Sequence, residues 1–170
     1  MDKEYANPAD FSSAEALDGA ETILVRQAAV TRVAALGDIF PAALSANLAA
    51  DVALVSSGVW YDGPSLLLGP GVWLLIGRVN HSRSTTTAAT VAVRLFDGAA
   101  SLAGTTQYHP SIATVSMTIP VTTLITVTTT TTVTLQAVTN YGASTTFMKA
   151  VGVYGAAPKA TELVAVRLSP

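Results

Sequence analysis

The chain has 170 residues, of which 9 are basic and 11 acidic, a charged share of 12% where about 25% is usual. Half of the residues are hydrophobic and mean hydropathy is +0.47, yet the longest nearly apolar stretch, residues 66–77, is broken by Gly69-Pro70-Gly71 and falls short of the roughly 18 residues of a spanning helix, so membrane insertion is not expected. Cysteine is absent, which excludes disulfide frameworks, thiolate catalysis and cysteine-ligated zinc, and a net charge of -2 leaves no electrostatic footprint for nucleic acid.

The N-terminus, MDKEYANPAD, is acidic and shows no apolar signal-peptide core. Residues 1–21 hold Asp2, Glu4, Asp10, Glu15, Asp18 and Glu21 against Lys3 alone, whereas the remainder is net positive. That split predicts an acidic N-terminal arm, either solvated or docked on a partner, ahead of a compact domain. Helix candidates occur only in this first third: residues 8–17, with Ser12 or Ser13 as caps, and the weaker 36–50, with Pro41 early in it, and short turns are expected there and not a helical domain. The expected division is 1–50 for the arm and 51–170 for the domain.

From Asp51 onward the signal is β. Threonine and valine dominate, and β-branched side chains suit a pleated, half-buried surface. Period-2 runs predict strands at 52–55, 64–68, 72–82, 86–96, 105–108, 112–119, 122–127, 132–138, 145–153 and 162–168. Turn signals separate them, among them Tyr61-Asp62-Gly63-Pro64, Gly69-Pro70-Gly71, Asp97-Gly98, Asn140-Tyr141-Gly142 and Ala157-Pro158. Short strands so punctuated predict an all-β protein, an antiparallel β-sandwich of the jelly-roll kind. The threonine run 128–132 is flanked by strand patterns and lacks proline, so it reads as a hairpin or long strand and not as a mucin-like tract.

One strand stands apart. Residues 72–79 are apolar on both faces, with Val72, Leu74 and Ile76 on one and Trp73, Leu75 and Val79 on the other. A strand buried twice needs its own core and a neighbour, and low surface charge points the same way. Obligate self-assembly is the expectation.

Catalytic signals are poor. His81, in Asn80-His81-Ser82-Arg83, and His109, before Pro110, are the only histidines, and no carboxylate stands at ligand spacing from either. They read as loop histidines with ordinary partners. No G-x-S-x-G elbow, phosphate loop or carboxylate pair is present. Neither enzyme activity nor a cofactor nor a metal is expected. Asn80-His81-Ser82 is a glycosylation sequon read as chance. Trp60, Tyr61, Trp73, Phe96, Tyr108, Tyr141, Phe147 and Tyr154 are either packing residues or sugar-stacking platforms. Tyr61, Tyr108 and Tyr141 lie near turn signals and are the candidates for ligand-contacting loops.

Two stretches resemble known proteins. Residues 18–33, DGAETILVRQAAVTRV, followed by Leu36-Gly37-Asp38-Ile39, are similar to a short module near the N-termini of tailed-phage fibre and other virion proteins. There a glycine-acid turn leads into a strand ending in glutamine, then a Thr-Arg strand and an Asp-Ile segment; here Ala28-Ala29 replaces the usual glycine. The second stretch, from about Asp51 to Pro170, contains Ser57-Gly58-Val59-Trp60-Tyr61-Asp62-Gly63-Pro64, Gly71-Val72-Trp73-Leu74-Leu75 and a closing ATELVAVRL. It resembles jelly-roll tips of phage fibres, themselves similar to trimeric heads of the tumour-necrosis-factor and complement type.

The resemblance implies a non-enzymatic virion protein, assembled in the host cytoplasm. It would be a short homotrimeric fibre or decoration protein that contacts other virion proteins and, by its tip, host-surface glycan. Glu21, Ile23, Val25, Gln27, Thr31, Arg32 and Ile39 would then form the anchor, and Val72, Trp73, Leu74, Leu75, Ile76 and Val79 the core and trimer interface. The alternatives are a cement protein bracing a capsid, or a carbohydrate-binding lectin or adhesin unrelated to a virion.

Overall fold

The computed structural model describes residues 22–27, 30–35, 42–111, 115–143, 146–150 and 161–169, which form strands joined by turns and loops, with no helix among them. The chain divides into two compact units, Met1–Pro41 and Ala42–Pro170. In the first, β1 (Thr22–Gln27) and β2 (Val30–Ala35) form an antiparallel pair in which Gln27 partners Val30 and Thr22 partners Ala35.

The second unit holds β3 (Ala43–Asn47), β4 (Val52–Ala53), β5 (Tyr61–Leu68), β6 (Gly71–Arg83), β7 (Ala89–Phe96), β8 (Ser101–His109), β9 (Val115–Val127), β10 (Thr131–Thr139), β11 (Thr146–Met148) and β12 (Glu162–Ser169). In the first sheet β6 is central. β9 pairs along one side of it, while β12 and β11 share the other, with β3 outside β12 and β4 outside β11. The second sheet has the order β5-β10-β7-β8. Among the described residues every pairing is antiparallel, and the chain crosses between sheets at β4–β5, β5–β6, β6–β7, β8–β9, β9–β10 and β10–β11. This is an antiparallel jelly-roll sandwich, the fold class the strand pattern predicts.

Alternation decides which side chains meet between the sheets. Trp73, Leu75, Val79, Ile119, Val121, Leu163 and Ala165 of the first sheet are buried against Val91, Val93, Leu95, Val133, Leu135 and Ala137 of the second. β7 and β6 are the clearest cases, buried at every second residue over most of their length. Their outward residues are what remains available for function.

Several expectations are corrected. Residues 43–47, in a weak helix candidate where short turns are expected, form a strand because β12 offers a partner edge and pairs with them from Val166–Ala43 to Glu162–Asn47. Tertiary pairing overrides alanine's helical preference here. The sandwich therefore begins at Ala42 and not at residue 51. The two strands expected on either side of Pro120 are one, β9, which pairs with β6 without interruption. Proline is tolerated because the paired strand lies on one side only, so its missing N–H breaks no second ladder. The threonine run makes no hairpin: β9 and β10 lie in different sheets, and residues 128–130 turn from one to the other. The helix expected at 8–17 lies outside the described residues.

Candidate functional site

The outer face of the first sheet is built around β6. Register partners share a face, so Ile76 lies between Val164 of β12 and Thr122 of β9, and Leu74 between Val166 and Leu124. Ser45 and Ala43 of β3 extend the same rows. Ile76 is 42% exposed and Leu124 59%, while Val72, Leu74, Val164 and Val166 are half-buried. The result is an apolar stripe across three strands. At one end the Arg78–Glu162 ion pair, 2.8 Å and partly exposed, borders it with charge. An apolar centre with a polar rim is the anatomy of a protein interface. The two faces read from the sequence are thus both present: Trp73, Leu75 and Val79 fill the core, and Val72, Leu74 and Ile76 face out.

The outer face of the second sheet is different. Asp62 of β5, Gln136 of β10 and Arg94 of β7 stand in one row across three strands. Gln136 donates through Nε2 to Asp62 Oδ1 at 2.6 Å and accepts at Oε1 from Arg94 Nε at 2.7 Å; Arg94 Nη1 donates to Ser101 Oγ at 3.1 Å. The Arg94 guanidinium lies over Trp60, 4.1 Å from the ring centroid, and over Phe96, 4.3 Å away, a cation–π arrangement. Next along the face, Gly58, Thr90, Ala92, Val138, Thr139 and Asn140 line an open, mainly apolar depression of about 200 Å³. The Gly58 amide donates to the Thr139 carbonyl at 2.9 Å, and Asn140 Oδ1 accepts from the Thr90 amide at 2.7 Å. Tyr108, 62% exposed, partners Thr90 in register and so flanks the depression.

The structure brings the three candidate tyrosines to one end of this sheet, where β5 begins and β8 and β10 end. Of the three, Tyr108 alone is exposed. Tyr61 is half-buried and its hydroxyl accepts from the Ser56 amide at 2.8 Å, and Tyr141 is half-buried with its amide bonded to Thr139 Oγ1. The sequence does not single out Arg94, Gln136 or Asp62. Their meeting depends on the register of three strands distant in the chain.

The histidines correct a second expectation. His81 and His109 are not loop residues but fully buried at strand ends, with ring centroids 4.7 Å apart beside a buried Arg83. The sequon residue Asn80 sits within β6, its side chain bonded to Thr118 and Ser116.

Of the anchor candidates, Ile23, Val25 and Gln27 lie on β1 and Thr31 and Arg32 on β2, with Val25 opposite Arg32; Glu21 and Ile39 fall outside the described residues. Among the described residues no group of three or more His, Asp or Glu side chains is placed to hold a metal. The described residues thus form a β-sandwich with two contrasting outer faces, one an apolar stripe and the other a polar row beside aromatic rings.

No protein-family model and no curated protein matches the chain. Similar solved structures include murine APRIL at pH 5.0, 16% identical with a TM-score of 0.46, covering 75% of this chain and 99% of that one. The Eiger TNF of S. frugiperda is 12% identical with a TM-score of 0.48, covering 76% and 94%. These likenesses concern the fold alone.

Proposed function

We propose that the chain is a self-assembling binding head. Three copies pack through the outer face of the first sheet, the outer face of the second sheet contacts saccharide, and the N-terminal unit fixes the head to a phage virion. The observation that carries this reading is the apolar stripe of Leu74, Ile76, Leu124, Val164 and Val166 on a sheet already packed on its other side. Covering what remains exposed of each residue contributes part of the roughly 1.5–3 kcal/mol of a full burial, repeated at every equivalent interface. The threefold count and the virion rest on the resemblance of residues 51–170 and 18–39 respectively. Three tips engaging a surface together raise weak single-site affinity by about 10²–10⁴ where the geometry permits.

The saccharide contact is supported by the second face, where the exposed Tyr108 flanks an apolar depression and the Arg94 guanidinium lies over Trp60 and Phe96. At about 200 Å³ the depression is below the ~300 Å³ of small-molecule pockets, so it fits one edge of a sugar ring. A glycan-array or cell-binding assay tests it: Tyr108→Ala with Trp60→Ala should abolish binding while leaving assembly intact. Unchanged binding in that double variant would remove the saccharide from the reading and leave a bracing role.

A lectin or adhesin unrelated to a virion is favoured by the same second face, because the Trp60–Arg94–Phe96 surface requires no anchor. Labelling this chain on purified particles separates the two readings.

A further inference from the structure

At one end of the sandwich, β6 of the first sheet meets the end of β8 of the second. His81 and Arg83, two residues apart on β6, both face inward, and His109 closes β8. The two imidazoles meet edge to face at an interplanar angle of 72°. Arg83 Nη2 donates to the Pro110 carbonyl at 3.0 Å and so ties the end of β6 to the chain leaving β8.

Beyond that bond the cluster has no side-chain partner among the described residues, although the His81 backbone faces the His109 ring. Both ring nitrogens of His81 and of His109, Arg83 Nε and Nη1, and the hydroxyl of Thr146, which partners Arg83 in register, are buried without a hydrogen bond. Buried polar atoms in native proteins nearly always have partners, so seven together mark a special site. Among the described residues the neighbouring strands bring no counter-charge: Met117 of β9 and Met148 of β11 partner His81, and Ala89 of β7 partners His109. Among the described acids, Asp51 is held by Lys149, Glu162 by Arg78, Asp62 by Gln136 and Asp97 by the backbone amides of Ala99 and Ala100. A permanent cation is therefore buried together with two imidazoles.

Such rings are held neutral. Burial first, then the charges of His109 and Arg83, push His81 down to about 3. Burial first, then Arg83, push His109 below its ordinary value, with the His81 backbone opposing. A proton on either ring would place a second cation beside Arg83 with no anion to receive it.

We propose that the His81–His109–Arg83 cluster is an acid-sensitive clamp between the two sheets, which lets go of the end of β8 when either histidine is protonated. The folded-state values lie below the unfolded value of about 6.5. The stabilisation is therefore complete above about pH 6.5 and lost as pH falls, towards about 3 for His81. Each proton taken up only on unfolding raises the unfolding constant about tenfold per pH unit, hence up to about a hundredfold for the pair.

Two measurements on the full chain test the clamp. NMR titration of the wild-type imidazoles, of which the chain has 2, should show His81 staying neutral in the folded state as pH falls from 7.5 to 5 and His109 titrating below its ordinary value. Denaturant unfolding over the same range should show a loss of stability that shrinks in Arg83→Met, where the repelling cation is gone, and shrinks further in His81→Leu/His109→Leu. Imidazoles titrating at ordinary values in the folded protein would overturn the clamp, as would equal acid loss in wild type and Arg83→Met. Chloride-dependent stabilisation at pH 5 that Arg83→Met abolishes would also overturn it, since the compartment would then be an anion site.

Discussion

Gly77 is the position where a missing side chain matters most. It lies on the inward face of β6 between Leu75 and Val79, and a Cβ there would come within 2.8 Å of Leu135 Cδ1 and 3.0 Å of Val121 Cγ1. The glycine lets Leu135 of the opposite sheet reach across the core. Gly77→Val should cost about 1–3 kcal/mol by overpacking, and Leu135→Ala about 2–5 kcal/mol through lost burial and a cavity. Thr132→Ala, at an exposed position, should stay within about 0.5 kcal/mol. Urea unfolding of the three variants checks the order. Apolar alternation alone marks Leu75 and Leu135 as inward residues, but a glycine carries no hydropathy signal to say which neighbour fills its space. The histidines are illegible for a related reason: Asn80-His81-Ser82-Arg83 reads as a polar strand end, yet β6 runs through it and turns His81 and Arg83 into the core.

At the scale of elements, β6 is the most informative segment because it carries apolar residues on two faces, one in the core and one on the outer surface. The faces predict different phenotypes. Leu75→Lys puts a charge in the core, fully buried against the second sheet, and should leave little soluble protein. Ile76→Lys or Leu124→Lys puts it on the outer face and should give a folded, dissociated chain, seen as a native circular-dichroism spectrum with a smaller particle mass. Equal outcomes for Leu75 and Ile76 would contradict the division of faces. β3 escapes a local reading because Ala-Leu-Ser-Ala-Asn has no strand signature of its own; its partner, β12, lies more than a hundred residues later. A chain beginning at Ala42 should therefore fold, whereas one beginning at Leu48 lacks β3 and exposes the edge of β12. The second chain should aggregate, as unprotected edges do, and size-exclusion chromatography of both tests this.

For the whole molecule, composition carries the larger point. With 12% of its residues charged and half hydrophobic, the chain leaves Ile76 and Leu124 exposed on the outer face of the first sheet, while Val55, Val59 and Leu67 are exposed elsewhere. The jelly roll is legible because strand periodicity and turn residues survive in a single sequence, while the Asp62–Gln136–Arg94 row is not, because register between distant strands leaves no local trace. A chain beginning at Ala42 should assemble normally yet fail to enter virions, and normal incorporation would remove the anchor from residues 1–41. The central claim, self-association through the outer face of β6, is tested most directly by light scattering on the purified protein at micromolar concentration. The account predicts a particle of three times the 17.4 kDa chain mass, falling to the single-chain mass in Ile76→Lys. A wild-type chain that stays soluble at 17.4 kDa would contradict it.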